Sequence, residues 1–101
     1  MKKNDDQLNL LREVDKKPNT AQRELAKNLN FSLGKLNYCL KALKKKGYIK
    51  IKNFTHNNNK LVYRYLLTPK GINQKTSLSL EFIKRKMSEY DELKKEIDRS
   101  K

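Results

Sequence analysis

Several residue types are scarce in this 101-residue chain, and each scarcity excludes a class of protein. The single cysteine, Cys39, excludes a framework of internal disulfides and predicts a reducing, cytoplasmic location. The single histidine, His56, has no carboxylate near it in sequence, and no Cys/His metal spacing or glycine-rich phosphate loop occurs. No apolar run approaches the roughly 18 residues of a membrane span. These absences predict a chain that is not an enzyme, with no metal, no cofactor and no membrane partner.

Acidic residues are scarce mainly in one part of the chain. Lys and Arg number 25 against 11 Asp and Glu, for a net charge of +14. Residues 18–70 contain twelve basic residues and a single acid, Glu24, so this stretch carries +11, whereas residues 1–17 carry +1 and residues 71–101 carry +2. A positive field confined to the centre of the chain favours double-stranded nucleic acid as the partner.

The first helix is predicted over residues 5–17. Leu8, Leu11 and Val14 recur at helical spacing, and Pro18 ends the segment. The apolar side of this helix is expected to pack beneath the basic centre of the chain.

The second helix is predicted over residues 20–29. Asn19 with Gln22 forms a candidate capping box, and Thr20 is the rival cap. Asn30 tolerates a left-handed backbone and Ser32 can cap the next helix, so the short link holds two helices in a fixed crossing. The expected inner face consists of Leu25, Ala26 and Leu29.

The third helix is predicted over residues 32–46, with Gly47 as the residue that ends it. Its expected inner stripe is Leu33, Leu36, Leu40 and Leu43. At about 100° per residue, the opposite face is left for a major groove. Its candidate DNA contacts, together with the cap residue, are Ser32, Gly34, Lys35, Asn37, Tyr38, Lys41 and Lys45. A merely solvated lysine face is the alternative.

A β-hairpin is predicted over residues 48–67, because YIKIKNF and KLVYRYLL are rich in β-branched and aromatic residues and THNNN separates them. Lys50 and Lys52 alternate with isoleucines, so one face of the hairpin presents charge. The other candidate DNA contacts are His56, Asn57, Asn58, Lys60 and Arg64. The polar tip either enters a minor groove or makes no contact.

A long helix is predicted over residues 69–101, starting at Thr68-Pro69. About 30 residues give a helix near 45 Å long, which overhangs a small module. Its apolar stripe at 3/4 spacing is Leu80, Ile83, Met87, Tyr90, Leu93 (or Lys94) and Ile97. The stripe pairs with a second copy of the chain or folds back on the first helix, which Leu78 and Phe82 are expected to contact.

Together these patterns predict a mainly α chain with a small β-hairpin wing: a winged helix-turn-helix over residues 1–70 and a dimerisation helix over 69–101. The segments QRELAKNLNFSLGKLNYCLKALKKKGYIKIKNF, LLTPKG and FIKRKMSEYDELKKEI resemble MarR-type regulators, in particular a short group associated with exopolysaccharide genes. The resemblance implies a dimeric, sequence-specific DNA-binding regulator of transcription, associated with the bacterial nucleoid. Whether such a chain has a small-molecule effector is left open.

Two other functions remain possible at this stage, namely a protein-interaction adaptor and a nonspecific coat for double-stranded DNA. Cys39 also allows two interpretations. A small buried thiol is the ordinary one, and a peroxide-sensing switch is the other.

Overall fold

The computed structural model describes residues 3–18, 20–55 and 61–100. Within these residues, three helices precede a two-stranded antiparallel hairpin and a fourth helix follows it. The elements are α1 (Lys3–Lys16), α2 (Gln22–Leu29), α3 (Leu33–Lys45), β1 (Ile49–Thr55), β2 (Leu61–Leu67) and α4 (Pro69–Arg99). This order confirms the predicted mainly α fold with a hairpin wing and a long C-terminal helix.

The core lies where α1, α2 and α3 meet, because each helix turns an apolar stripe toward the other two. Ala26 is buried there, as expected for a small residue where helices approach closely. The prediction for Leu33 is wrong, since half of its surface is exposed (50%). Leu33 lies about 50° around α3 from the centre of the buried stripe, so it points past the core. The most deeply buried side chains are Leu10, Leu11, Val14, Leu25, Leu36 and Leu43.

The start of α2 differs from the prediction. The helix begins at Gln22 after an N-cap at Ala21, whose side chain makes no capping hydrogen bond. Thr20 is therefore not the cap; its buried hydroxyl instead donates to the carbonyl of Lys17 and closes the preceding turn. Asn19, the other predicted cap, lies outside the described residues.

Both α2 and α3 end at a residue with a left-handed backbone, as predicted. These residues are Asn30 (φ 57°) and Gly47 (φ 80°). The following N–H groups, those of Phe31 and Tyr48, each donate back into the last helical turn at 2.9 Å. This arrangement satisfies carbonyl groups that a helix end otherwise leaves unpaired, and it sets the direction in which the chain departs.

The hairpin has one face in the core and one in solvent. Ile49 pairs with Leu67 and Ile51 with Tyr65 across the two strands. Ile49 and Tyr65 are buried, whereas Lys50 and the other lysine of the strand, Lys52, are exposed, which confirms the predicted alternation. The predicted tip residues His56, Asn57, Asn58 and Lys60 lie outside the described residues.

The long helix α4 starts with Thr68 as its N-cap, whose hydroxyl accepts from the Gly71 N–H at 3.0 Å, and with Pro69 in the first turn. It runs for 31 residues and gives the molecule dimensions of 67 × 25 × 20 Å. Across the described part of the chain, no helix is long and apolar enough to span a membrane.

The first helix covers only the N-terminal half of α4. Gln74 donates to Gln7 at 3.0 Å and Arg85 pairs with Asp5 at 2.7 Å. Leu78 is buried between these contacts, as predicted.

Phe82 is 36% exposed, with the cations of Arg85 and Lys86 over its ring at 5.6 and 5.4 Å. Its contact with α1 stays a prediction. After Arg85, every residue of α4 is exposed.

Candidate nucleic-acid interface

The outward face of α3 is defined by what the helix buries. Ser32 caps the helix by accepting from the Lys35 N–H at 3.1 Å, and the leucines that follow turn inward. On the far side Tyr38 is two-thirds exposed (66%). The exposed residues of this face are Gly34, Asn37, Tyr38, Lys41 and Lys45, and exposed Lys44 lies at its margin next to Asn37.

The lysines of this face are not neutralised by the protein. Within the described residues, Lys41, Lys44 and Lys45 have no carboxylate within ion-pair distance. The one acid of the basic centre, Glu24, lies 4.0 Å from Lys17, on an exposed surface. The face therefore presents a positive potential that an anionic partner can use.

Lys35 is positioned differently from the other lysines of α3. Its ammonium pairs with Asp6 of α1 at 3.1 Å and lies over the Phe31 ring at 4.3 Å. The structure thus brings Lys35 to the edge facing α1, where it is half-buried, and contact with a phosphate requires it to leave Asp6. Helix periodicity alone does not reveal this pairing, because the two residues are far apart in sequence.

Asn37 is held in place by α2. The amide of Gln22 donates to the Asn37 side-chain oxygen. In this orientation the Asn37 amide group retains its N–H donors, and an asparagine amide can pair with an adenine edge in the major groove. Gln22, which was expected only in a capping box, is therefore a positioning residue for the candidate interface.

The hairpin adds a second basic surface. Lys52 lies directly opposite Arg64 across the strands, and Lys50 is on the same face. Like charges in directly opposed positions repel each other, so this pair destabilises the hairpin unless an anion lies nearby. The pair thus concentrates positive charge on the outer face of the hairpin.

Cys39 lines a cavity of about 250 Å³ between α1 and α3, together with Asp6, Tyr38 and Ala42. Burial raises the pKa of the Cys39 thiol, the Asp6 carboxylate raises it further, and the Lys35 cation partly opposes them. A raised pKa keeps the thiol protonated near neutral pH. This protonation favours a packed thiol over a reactive one.

Two exposed residues of α3 were missed by the sequence-based prediction. Leu33 was assigned to the core, and Lys44 was left out because it lies only about 40° around the helix from buried Leu40. Lys44 lies about 120° around the helix from Tyr38, so only a wider definition of the outer face includes it. Nothing in the sequence predicts the exposure of Leu33, because a leucine beside an apolar stripe is expected to be buried.

The sequence match to a protein family agrees with the fold described above. Residues 4–50 match the family described as winged helix-turn-helix DNA-binding. This chain has the winged helix-turn-helix fold. No curated protein matches its sequence significantly.

Solved structures share the fold. Staphylococcus aureus MarR, in complex with salicylate and kanamycin, is 22% identical with a TM-score of 0.66 over 85% of this chain and 56% of its own. Smu.1704 from Streptococcus mutans UA159 is 20% identical with a TM-score of 0.78, covering 88% and 86%. Streptococcus pneumoniae FabT, in complex with DNA, is 23% identical with a TM-score of 0.61, covering 85% and 58%.

The chain thus spans little more than half the length of MarR and of FabT. These similarities confirm the resemblance to MarR-type proteins at the level of the winged helix-turn-helix fold. The association with exopolysaccharide genes has no counterpart among them.

Proposed function

We propose that this winged helix-turn-helix protein is a homodimeric, sequence-specific DNA-binding regulator of transcription. The observation that carries the proposal is a pair of basic surfaces, one on the outer face of α3 around Lys41 and Lys45 and one on the hairpin, whose cations make no ion pair among the described residues. The DNA-binding family match over residues 4–50 supports it, as does the fold shared with FabT, which is in complex with DNA.

In this proposal α3 enters a major groove. Nothing lies within 4 Å of the position that a Cβ would take at Gly34, so the backbone there is open to close approach. Asn37 and Tyr38 contact base edges, whereas Lys41 and Lys45 contact phosphates or guanine acceptors. Base contacts supply the specificity and phosphate contacts supply most of the affinity.

The hairpin binds the flanking backbone. Lys50, Lys52 and Arg64 share its exposed face and contact phosphates. The predicted minor-groove contacts at the tip, His56, Asn57, Asn58 and Lys60, remain part of the proposal.

Two copies bind one site. The exposed apolar stripe of α4 pairs with the same stripe of a second chain, and two-fold dimers are the commonest soluble assembly. A two-fold dimer places two α3 helices on a pseudo-palindromic site, in grooves roughly 34 Å apart. The sequence resemblance points to exopolysaccharide-related genes as targets, and sequencing the DNA bound to the protein in cells tests that assignment.

Selection of duplexes from a random pool tests the proposal. Purified protein is equilibrated with the pool near physiological salt, and the selected duplex is then compared with a scrambled duplex over a salt series. We expect a two-fold-symmetric sequence that binds at least about 10³-fold more tightly than the scrambled control.

Two other outcomes contradict the proposal. Uniform binding with a steep salt dependence and no enriched motif identifies a nonspecific DNA coat. Weak, unselective binding together with a stable heteromeric partner identifies an adaptor.

A further inference from the structure

The apolar stripe of α4 lies on the side of the helix that faces away from the winged module. Leu78 is buried against the module, and Met87, nine residues later, is 62% exposed. At about 100° per residue these two side chains point in opposite directions. The module of the same chain therefore cannot cover the stripe. The exposed stripe residues are Leu80, Ile83, Met87, Tyr90, Leu93 and Ile97, each between 50% and 64% exposed.

We infer that two α4 helices pair in antiparallel orientation, with the two-fold axis crossing between Met87 and Tyr90. This inference rests on the proposed homodimer and adds its geometry. The apolar stripe of α4 is thus covered by the same stripe of a second chain, whose α4 runs in the opposite direction.

The spacing of the stripe is the first observation behind this inference. Its positions are separated by 3, 4, 3, 4 and 3 residues when Lys94 is counted, so the pattern is the same in both directions. An antiparallel pair centred between positions 88 and 89 sets Met87 against Tyr90 of the second copy and Leu80 against Ile97. Every layer of the seam then contains a large apolar side chain from at least one copy.

The charge pattern of α4 is the second observation. Residues 84–86 are all basic, and Glu89, Asp91 and Glu92 follow within two turns. Antiparallel pairing about the same centre places Lys84 beside Asp91 of the second copy on the same edge of the seam, twice in each dimer. In a parallel pair in register, Lys94 instead faces Lys94 of the second copy within the seam, and like charges repel.

The contacts within one chain leave these groups able to pair across the seam. Lys84 and Asp91 make no ion pair among the described residues, whereas Lys86 pairs with Glu89 of the same helix at 3.3 Å. Arg85 is likewise engaged, because Asp5 of α1 binds it at 2.7 Å. The charge complementarity between copies therefore falls mainly on Lys84 and Asp91.

A groove on α4 supplies the third observation. Phe82, Ile83, Met87 and Tyr90 line a depression of about 380 Å³, with Lys86 and Asp91 at its edge. Residues at such spacing on one helix form the holes that receive side chains from a facing helix. Antiparallel pairing brings the Tyr90 region of the second copy to this groove in each half of the dimer.

Antiparallel pairing carries the two winged modules to opposite ends of the paired helices. Each module contacts α4 from Thr68 to Arg85, on the side away from the seam. The modules then do not overlap, and each keeps its α3 and hairpin surfaces free for DNA.

Engineered cysteines test the orientation. In a Cys39→Ser background, Leu80→Cys and Ile97→Cys are produced separately and also co-expressed on differently tagged chains, then oxidised mildly. We expect efficient cross-linking between tagged partners only when one chain carries Leu80→Cys and the other Ile97→Cys.

A matched control and the opposing outcomes make the test decisive. Glu89→Cys lies on the side of α4 opposite Met87 and should not cross-link, whereas sedimentation should show that all variants are dimers. Efficient self-cross-linking of Leu80→Cys alone and of Ile97→Cys alone overturns the inference in favour of a parallel pair. A dimer without any cross-link, or a monomer, also overturns it. Duplex selection on the same protein shows separately whether sequence-specific DNA binding survives.

Discussion

The Cα of Gly71, in the first turn of α4, lies against the backbone carbonyl of Tyr48, the second residue after α3 ends at its C-cap. A Cβ at position 71 would lie 1.9 Å from that oxygen and 2.8 Å from its carbon. The same oxygen accepts from the Thr68 N–H at 3.0 Å, and the Thr68 hydroxyl donates to the Gly47 carbonyl at 2.5 Å. The helix proposed to contact DNA is thus tied directly to the helix proposed to dimerise.

Replacing Gly71 is expected to separate these elements. In Gly71→Ala the new methyl group meets backbone rather than a flexible side chain, so α4 must shift. We expect the free energy of unfolding to fall by about 2–3 kcal/mol, measured by urea denaturation.

Gly34→Ala is the matched control, since nothing lies within 4 Å of its Cβ position. Alanine favours the helix, so this variant should gain about 0.5–1 kcal/mol. Its affinity for the selected duplex should nevertheless fall, because the methyl group occupies the face that approaches the groove. Equal loss of stability in the two variants contradicts the role assigned to Gly71.

Thr68 performs two functions with one hydroxyl, which caps α4 and bonds to Gly47. Thr68→Val keeps the shape and removes both hydrogen bonds, so we expect a loss of about 1–2 kcal/mol in the free energy of unfolding. Thr68→Ser retains the hydroxyl and should stay within about 0.5 kcal/mol of the parent. Denaturation of the three proteins in parallel measures both effects, and a Val variant as stable as the Ser variant argues against the cap.

Phosphate contacts and base contacts should respond differently to substitution. Lys41→Ala or Lys52→Ala should weaken binding to all duplexes and reduce the slope of log K against log salt by about 0.9. Tyr38→Ala should mainly erode the preference for the selected site. Lys95→Ala on α4 removes the same charge far from the proposed interface and is the control, whose salt slope should match the parent.

Equal losses on selected and scrambled DNA for Tyr38→Ala contradict its proposed role in base contact. An unchanged salt slope for both lysine variants contradicts the phosphate contacts. Titrations by fluorescence anisotropy at several salt concentrations provide both measurements.

Cys39 should react slowly with alkylating agents. Its pKa is raised above the ordinary value of 9.0, first by burial and then by the Asp6 carboxylate, so less thiolate is present at a given pH. We expect the midpoint of the pH–rate profile with iodoacetamide to lie above 9.0. In Asp6→Asn, where one cause of the shift is removed, the midpoint should move down.

The same thiol tests the redox hypothesis. DNA affinity should be insensitive to peroxide in the parent and in Cys39→Ser alike. A peroxide response that is present in the parent and absent in Cys39→Ser supports a switch instead.

Local sequence predicted most of the helices and strands because their signals are short-range. Gly47 ends α3, Thr68 and Pro69 start α4, and alternating lysines mark the solvent face of β1. Each of these features depends on residues within one or two turns, so no tertiary information is needed.

Contacts between distant residues escaped the same reasoning. Asp6 holds Lys35 away from the outer face, and Gln22 holds Asn37 in place. Periodicity assigns a face to each residue but does not identify the neighbour across the interface.

The sequence alone determined the order of the elements and the location of positive charge, because hydrophobic periodicity, capping residues and charge counts are local properties of the chain. Only the tertiary structure decided which lysines are free and how closely α3 approaches α4. A free lysine is defined by the distance to a carboxylate elsewhere in the chain, and the approach of Gly71 to Tyr48 is defined by backbone packing. Both depend on folding, which brings residues far apart in sequence into contact.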